Sequence, residues 1–251
     1  MNVRKLGIVA AMPEEFSLLV SRFSATHAET IGPRDFFRAH VGSRELVFVC
    51  SRIGKVAASS TATTLIQSFG VDAVLLTGVA GGVASGIGVG DVVVADALVQ
   101  HDIDLRGVLG CNRLDIPLLG TAAIATCPEL THVAIDAAGS MVRHAEYTSA
   151  VRALAHREPK FHVGTIASGD VFVNSERERT ELLSLISGLR CVEMEGAAVA
   201  QVCAEQSVPF AVARVISDSA NSDASVDFST FLAQAAAVGS ERFVMEFISR
   251  L

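Results

Sequence analysis

The sequence is poor in several features that would assign a protein to a particular class. Tryptophan is absent, and only 1 Tyr and 6 Pro occur among 251 residues. No segment rich in proline, glycine and serine separates halves of different composition, and no internal repeat is present. A chain of this length fits one large α/β domain or two small ones. Because there is no linker, we expect residues 1–251 to form a single domain.

Long hydrophobic runs are also missing, although 50% of the residues are hydrophobic. No uninterrupted apolar stretch reaches the ~20 residues of a membrane-spanning helix. The apolar run before Pro13 is shorter than the core of a signal peptide, which has ~7–15 residues. We therefore expect a cytoplasmic protein without a membrane partner.

The sequence has no excess of basic residues. Its 20 Lys and Arg are outnumbered by 27 Asp and Glu, the net charge is −7, and the basic residues are scattered. A protein that binds the backbone of a nucleic acid favours a basic patch. The charge therefore argues against a nucleic-acid partner and is compatible with a small neutral or cationic ligand.

Paired cysteines are absent too. The five cysteines are odd in number, contain no CxxC pair and lie partly in apolar runs, as expected of buried thiols in a reducing cytosol. A structural zinc site requires Cys or His ligands at short spacing, and the sequence offers none. We predict no metal site.

What is present is an alternation of strand-like and helix-like segments, which favours an α/β fold with a largely parallel or mixed central sheet flanked by helices. Continuous apolar runs predict buried strands, and Pro13 marks the start of the first helix. The predicted strands are 6–12, 36–41, 45–50, 71–77, 92–95, 161–167, 191–194 and 210–216. The first predicted helix begins at Pro13. The other predicted helices cover 56–69, 130–143, 176–186, 197–206 and 228–250.

The glycine-rich stretch at 77–91, TGVAGGVASGIGVGD, does not mark a dinucleotide site. It fits neither GxGxxG nor the Walker pattern, and a strand rather than a helix follows it. No helix N-terminus is therefore available for a pyrophosphate. Tight turns and close backbone approach explain these glycines.

Charged residues stand at the ends of several predicted strands, and in open α/β sheets sites gather at the carboxyl edge. Glu15 lies in a first helical turn, where the helix dipole alone would favour a carboxylate. Glu193 and Glu195 alternate in an apolar strand and are expensive to bury unpaired. Arg214 lies within another apolar strand and needs an acidic partner, and Asp218 ends that strand, where it would also suit a helix cap.

Together, these signals resemble the methylthioadenosine/S-adenosylhomocysteine nucleosidases of the nucleoside phosphorylase superfamily. The match is carried by GIVAAMPEE at 7–15, SRIGKVAAS at 51–59, TGVAGG at 77–82, SGDVFVN at 168–174 and the blocks VEMEGAAVAQVC and ARVISDSAN within 192–221. The last two blocks are shared with the phosphorylases, whereas AMPEE indicates hydrolysis. The resemblance implies a nucleoside phosphorylase-like fold, a homodimer and no cofactor.

The resemblance also implies a mechanism. Asp218, protonated because an apolar site raises its pKa, would donate to purine N7. Glu15, steadied by Arg214, would orient the attacking water, and Glu195 would bind the ribose hydroxyls. The residues implied in substrate binding, besides Glu195, are Met194, Glu193, Phe172, Val173, Val79, Met12, Ile53, Phe228 and Ser217.

Three positions depart from the family pattern. Val79 stands where Ser is frequent, and Arg52 stands where a small residue is common. The 102–117 segment lacks the aromatics expected in the loop that completes the 5′ pocket. Because this segment is apolar but has little helical or strand periodicity, we expect Leu105, Leu109 or both to contact a partner subunit there. Three alternatives to the leading interpretation are a phosphorylase, suggested by Arg52; a hydrolase of futalosine-type adenine nucleosides; and a non-catalytic purine-binding relative. The joint presence of Glu15, Glu195 and Asp218 argues against the last of these.

Overall fold

The computed structural model describes residues 3–108, 110–117, 119–221, 224–231 and 237–251. Strands and helices alternate, as predicted. The strands are β1 (Lys5–Ala10), β2 (Thr26–Ile31), β3 (Arg34–Val41), β4 (Arg44–Cys50), β5 (Ala73–Leu76), β6 (Val79–Gly82), β7 (Val92–Gln100), β8 (Ala123–Ala125), β9 (Phe161–Ser168), β10 (Leu189–Glu193) and β11 (Phe210–Asp218). The helices are α1 (Pro13–Arg22), α2 (Lys55–Gln67), α3 (Pro128–Met141), α4 (Ala145–Ala155), α5 (Glu176–Leu185), α6 (Gly196–Glu205), α7 (Ala224–Phe231) and α8 (Ala237–Arg250).

Within the described residues the strands form one mixed sheet, in the order β2-β3-β4-β1-β5-β11-β6-β10-β9-β7-β8. Strand β1 is parallel to β4 and β5, and β11 is parallel to β5 and β6. Strand β7 also pairs with β11, in antiparallel fashion, so β11, β6, β10, β9 and β7 close into a ring. The prediction of a mixed central sheet in an α/β fold is confirmed.

The sheet is buried on both faces, which explains why its central strands are continuous apolar runs. Side chains alternate along β11: Ala213 and Val215 pack into one hydrophobic cluster, and Val212 and Ile216 pack into the other. Helices α1, α3 and α8 contribute to the first cluster, and α2 and α6 to the second. The central strands are thereby fixed between two helical layers.

Several elements differ from the prediction. The predicted helix 228–250 corresponds to α7 and α8, and residues 232–236 between them lie outside the described residues. Strands β2, β6 and β8 and helix α4 were not predicted. Strand β2 is almost entirely exposed and polar, and β6 consists of Val-Ala-Gly-Gly, so neither shows the apolar alternation of a half-buried strand.

The 102–117 segment is more deeply packed than its irregular pattern predicts. Leu114 and Ile116 are buried in the hydrophobic clusters, whereas Val108 is exposed and Leu105 is half-buried. Leu109 lies outside the described residues. Part of the apolar content of this segment therefore serves the core of its own subunit.

No helix in the described part of the chain is long and apolar enough to cross a membrane.

Candidate active site

The ends of β1, β10 and β11 and the start of β6 surround a cavity of about 350 Å³. The structure brings all the site residues predicted from the sequence to its wall: Met12, Glu15, Ile53, Val79, Phe172, Val173, Glu193, Met194, Glu195, Arg214, Ser217, Asp218 and Phe228. The wall also includes Ala11, Ala80, Gly81, Val171 and Val192, which the sequence did not single out. The cavity is mostly apolar with charged groups at its floor, as is common for small-molecule sites.

Arg214 is the centre of the charged floor. Its side chain is buried, and its Nη2 donates to the carboxylates of Glu193 and Glu195, the latter at 3.2 Å. Its Nη1 donates to the carbonyl of Thr77 at 3.3 Å. Burial lowers the pKa of Arg214, but the surrounding carboxylates more than offset this and raise it. The acidic partner that the sequence required for Arg214 is thus a pair of glutamates.

Glu193 is occupied by the protein itself. Its carboxylate accepts hydrogen bonds from the backbone of Glu195 at 3.0 Å, from the backbone of Gly196 at 2.8 and 2.9 Å, and from the hydroxyl of Ser168. Together with Arg214, these donors account for both carboxylate oxygens. Although Glu193 lies in the wall of the cavity, its contacts are those of a residue that positions Arg214 and the start of α6.

Glu195 is not in the strand, as the alternating pattern predicted, but at the residue before α6. Its Oε1 accepts from the backbone N–H of Gly54 at 2.8 Å, and its Oε2 faces Arg214. Burial raises the pKa of Glu195 to about 7, partly against the charge of Arg214. One carboxylate therefore connects the loop before α2 to the floor of the cavity.

Glu15 is fully buried in the first turn of α1. Its Oε2 accepts from the backbone N–H of Met12 at 3.1 Å, while Oε1 has no hydrogen-bond partner in the described residues. Burial raises the pKa of Glu15 to about 7, and the charge of Arg214 and nearby backbone N–H groups lower it in part. Glu15 therefore lies in the wall of the cavity with one carboxylate oxygen unpaired in the described residues.

Arg214 and Glu15 form no ion pair in the described residues, so the expected steadying of Glu15 by Arg214 would act through charge. The ion pairs of Arg214 are made with Glu193 and Glu195, which occupy its Nη2, and none is formed with Glu15 within the described chain. Arg214 acts on Glu15 through its charge alone, whereas the carboxylate is held by the backbone at the start of α1.

Asp218 is the last residue of β11. It is buried, its Oδ1 accepts from the backbone N–H of Ala220 at 2.8 Å, and its Oδ2 accepts from the hydroxyl of Ser217 at 2.9 Å. The Ser217 hydroxyl also lies 3.3 Å from the carbonyl of Ala80. These contacts fix the carboxyl group against the wall formed by β6.

Aromatic side chains line the more open side of the cavity. Phe172 and Phe228 meet edge to face, with ring centroids 5.9 Å apart, and Phe172 remains 42% exposed. Ile53 is 53% exposed beside them. An exposed ring next to an apolar cavity suits a flat heterocyclic ligand, because stacking buries both surfaces.

Comparison with known proteins decides the family. The model of the family described as Phosphorylase superfamily matches residues 5–249. The chain belongs to the phosphorylase superfamily.

Relatives within this superfamily are nucleosidases. The 5′-methylthioadenosine/S-adenosylhomocysteine nucleosidase of Exiguobacterium sp. is 34% identical, over 98% of this chain and 98% of that protein. The aminodeoxyfutalosine nucleosidase of Helicobacter pylori is 36% identical, over 99% and 100%. The S-adenosylhomocysteine nucleosidase of Streptococcus pyogenes, solved with 5-methylthiotubericidin, superposes with a TM-score of 0.85 at 32% identity, over 100% and 98%. The chain is therefore an N-glycosyl hydrolase, as the sequence predicted.

Sequence reasoning missed two contributors to the charged floor of this nucleosidase. Ser168 donates to Glu193 and also accepts from the backbone N–H of Ala197 at 2.7 Å, and Gly54 donates to Glu195. Both residues lie in blocks that carry the family resemblance, SGDVFVN and SRIGKVAAS. The sequence blocks indicated that these residues belong to the site, but their hydrogen-bond partners follow only from the fold.

Gly78 provides a test of how closely the floor is packed. Its φ is +148°, and a Cβ added there would collide with Nη1 of Arg214 and lie 3.0 Å from Oε1 of Glu15. We expect Gly78→Ala to displace these groups and to lower kcat/KM by about 10²-fold, the scale reported for a small misplacement of reacting groups. The measurement is adenine release per folded enzyme.

The matched control is Gly86→Ala in the same glycine-rich stretch. Gly86 also has a positive φ of +81°, but a Cβ there meets open space. The control therefore reports backbone strain without the collision. Equal activity in the two variants would show that the floor is not organised around Gly78.

Proposed function

We propose that this enzyme hydrolyses the N-glycosidic bond of 5′-methylthioadenosine and S-adenosylhomocysteine, releasing adenine and a 5-thioribose product. The observation that carries the proposal is the buried Glu15 in the wall of the cavity, whose Oε1 has no hydrogen-bond partner in the described residues. A carboxylate there accepts a proton from water and repels phosphate. The names of the relatives support the same substrates.

The electrostatics of the cavity argue against a phosphorylase. Among the described residues that line it, Arg214 is the one cationic side chain, and its charge is balanced by Glu193 and Glu195. Arg52, which suggested phosphate binding, is not part of this wall; its Nη2 donates to the carbonyl of Pro33 outside the cavity. Adenine release from methylthioadenosine at equal rates with and without phosphate is the expected result, and a strict need for phosphate would reject hydrolysis.

The proposed mechanism uses three carboxyl groups in separate roles. Asp218 donates a proton to purine N7, so that adenine leaves as a neutral molecule. Glu195 accepts hydrogen bonds from the ribose hydroxyls, and Glu15 takes a proton from the attacking water. Met194 lies against the sugar, Phe172 stacks on adenine, and the backbone of Val173 contacts its polar edge. The positions of these residues around one cavity support this assignment.

The relative from Helicobacter pylori gives a second candidate substrate, an aminodeoxyfutalosine-type nucleoside. Such a substrate shares the adenine and ribose and differs at the 5′ group. The half-exposed Ile53 and Phe172 leave the cavity open on the side where Met12, Ile53 and Phe228 would receive that group. Adenine release from a panel of 5′-substituted adenosines ranks the two candidates.

The chain organisation and cellular location are part of the proposal. One continuous sheet with strands from Lys5 to Asp218 supports a single domain over residues 1–251. All five cysteines are free, as is typical of a reducing cytosol, which supports a cytoplasmic location.

Assembly as a homodimer follows from exposed apolar residues near the open side of the cavity. Val56 is 81% exposed at the start of α2, and Ile53 and Val171 are about half exposed. Apolar patches of this kind mark interaction surfaces.

We expect Val56→Asp to yield monomers in size-exclusion chromatography with light scattering and to raise KM for methylthioadenosine. Leu183→Asp, on the exposed side of α5, is the control; a wild-type monomer at micromolar concentration with full activity would contradict the proposal.

Glu15→Gln tests the proposed base. The amide retains an acceptor for Met12 N–H but cannot take a proton, so hydrolysis should be lost while methylthioadenosine still binds. In the wild type, kcat/KM should fall as the pH drops below about 7, because burial raises the pKa of Glu15 and Glu195 to that value. The control is Glu14→Gln, the exposed neighbour in the same turn.

Glu15→Gln should abolish hydrolysis without lowering the stability of the folded protein. A folded-state pKa above the ordinary 4.5 means that the ionised form costs stability, increasingly as the pH rises from 4.5 to about 7. At pH 8 the melting temperature of Glu15→Gln should therefore equal or exceed that of the wild type. Hydrolysis by Glu15→Gln at the wild-type rate would show that Glu15 is not the base.

Asp218→Asn tests the proposed acid. The amide keeps the shape and an oxygen acceptor for Ala220 N–H but has no acidic proton, so kcat should fall by at least ~10²-fold with the fold intact. Asp96→Asn, an exposed position on β7, is the control. Turnover near the wild-type rate would show that another group protonates the base.

A further inference from the structure

A second depression of about 520 Å³ lies beside the cavity, and we call it the outer groove. Ala11, Met12 and Ile53 belong to the walls of both spaces. The two spaces are therefore neighbours across these side chains. On the proposed function, Met12 and Ile53 receive the 5′ substituent of the nucleoside, so a longer substituent that passes them enters the outer groove.

Two arginines line the outer groove without acidic partners. Arg34 donates from Nε to the carbonyl of Ser51 at 3.2 Å and from Nη2 to the carbonyl of Ala57 at 3.1 Å. Arg52 donates to the carbonyl of Pro33 at 3.1 Å. Neither forms an ion pair with any residue of the described chain, and each donates to backbone carbonyls instead. Backbone carbonyls thus orient both guanidinium groups without neutralising their charge, which is available to an anion.

The two charges also act on each other. Burial, and then the positive charge of Arg52, lower the pKa of Arg34. Asp35 lies in the same wall, but its carboxylate accepts from the hydroxyl of Thr30 and lies 3.5 Å from the ring of His27. A negatively charged ligand group in the groove would relieve the repulsion between the arginines.

The backbone fixes the position of Arg52 at a cost. Its φ is +70°, in the left-handed region that glycine occupies freely and other residues occupy only with backbone strain. Arg52 follows β4, and Arg34 opens the antiparallel neighbour β3, so the hairpin holds both guanidinium groups at one end. The groove is therefore a formed feature of the fold.

We propose that Arg52 and Arg34 select 5′-substituted adenosines whose substituent ends in a carboxylate. The inference rests on the proposed function and deepens it, because it concerns the 5′ end of the same substrate. Guanidinium groups pair with carboxylates in charge-assisted hydrogen bonds, which are about twice as strong as neutral ones. Two sources share this chemistry: an α-amino acid, as in S-adenosylhomocysteine, and an aromatic acid.

The test compares matched substrates that differ only at the terminal group. One pair is S-adenosylhomocysteine and its carboxamide; the other is an adenosine with a 5′-linked benzoate and its benzamide. For the wild type we expect kcat/KM for at least one carboxylate to exceed that of its amide by about 10-fold, equivalent to about 1.4 kcal/mol. The ratio should shrink in 1 M salt, because screening weakens a partly exposed ion pair.

Arg52→Gln should bring the carboxylate-to-amide ratio close to one. Glutamine keeps a polar side chain, although a shorter one, and loses the charge, and the ratio cancels any general change in activity. Arg152→Gln is the matched control, because it removes the same charge from an exposed residue of α4 that pairs with Glu158. Arg34→Gln is a less direct test, since Arg34 also holds the Ser51 and Ala57 carbonyls.

The outcomes separate the inference from the function on which it rests. No adenine release from methylthioadenosine by the wild type would reject the proposed function. Normal release, with a ratio near one for both pairs or a ratio that Arg52→Gln leaves unchanged, would overturn the carboxylate site alone. The pair with the larger Arg52-dependent ratio identifies which acid the groove recognises.

Discussion

The buried ion pairs of Arg214 with Glu193 and Glu195 are the interaction on which the site depends. Arg214 belongs to β11, Glu193 ends β10, and Glu195 precedes α6, so one guanidinium joins β11 to the segment that links β10 and α6. Removing one partner from such a cluster costs about 3–5 kcal/mol, because a charge is left buried and unpaired. This cost explains why the arrangement is tightly specified.

The cluster contains more negative than positive charge, and that imbalance has chemical consequences. Arg214 is satisfied by two carboxylates, so it offers only its field to Glu15. Burial raises the pKa of Glu15 and of Glu195 to about 7, and the charge of Arg214 lowers each of them only in part. In the proposed mechanism, a floor with excess negative charge favours the cationic sugar of the transition state and disfavours an incoming phosphate.

Much of this was predictable from the sequence, and the failures have physical causes. Apolar runs located β1 and β11, and charged residues within or just after such runs located the site, because burying a charge demands a partner. The identity of the partners was not predictable: Arg214 pairs with Glu195 rather than Glu15, since that choice depends on where α6 begins. Strand β6 was missed because its glycines indicate turns, whereas sheet pairing fixes them here.

The cavity and the outer groove are built on different parts of the sheet. Hydrolysis and the proposed selection of the 5′ group therefore depend on different residues. The charged floor arises where central strands end between two helical layers, so a substitution there disturbs several elements at once. The outer groove lies on the β3–β4 hairpin towards the edge of the sheet, where Arg34 and Arg52 contact only carbonyls. Side chains at such an edge change without unpairing a buried charge. A fold of this kind can therefore keep one hydrolytic centre while the group recognised at the 5′ end varies.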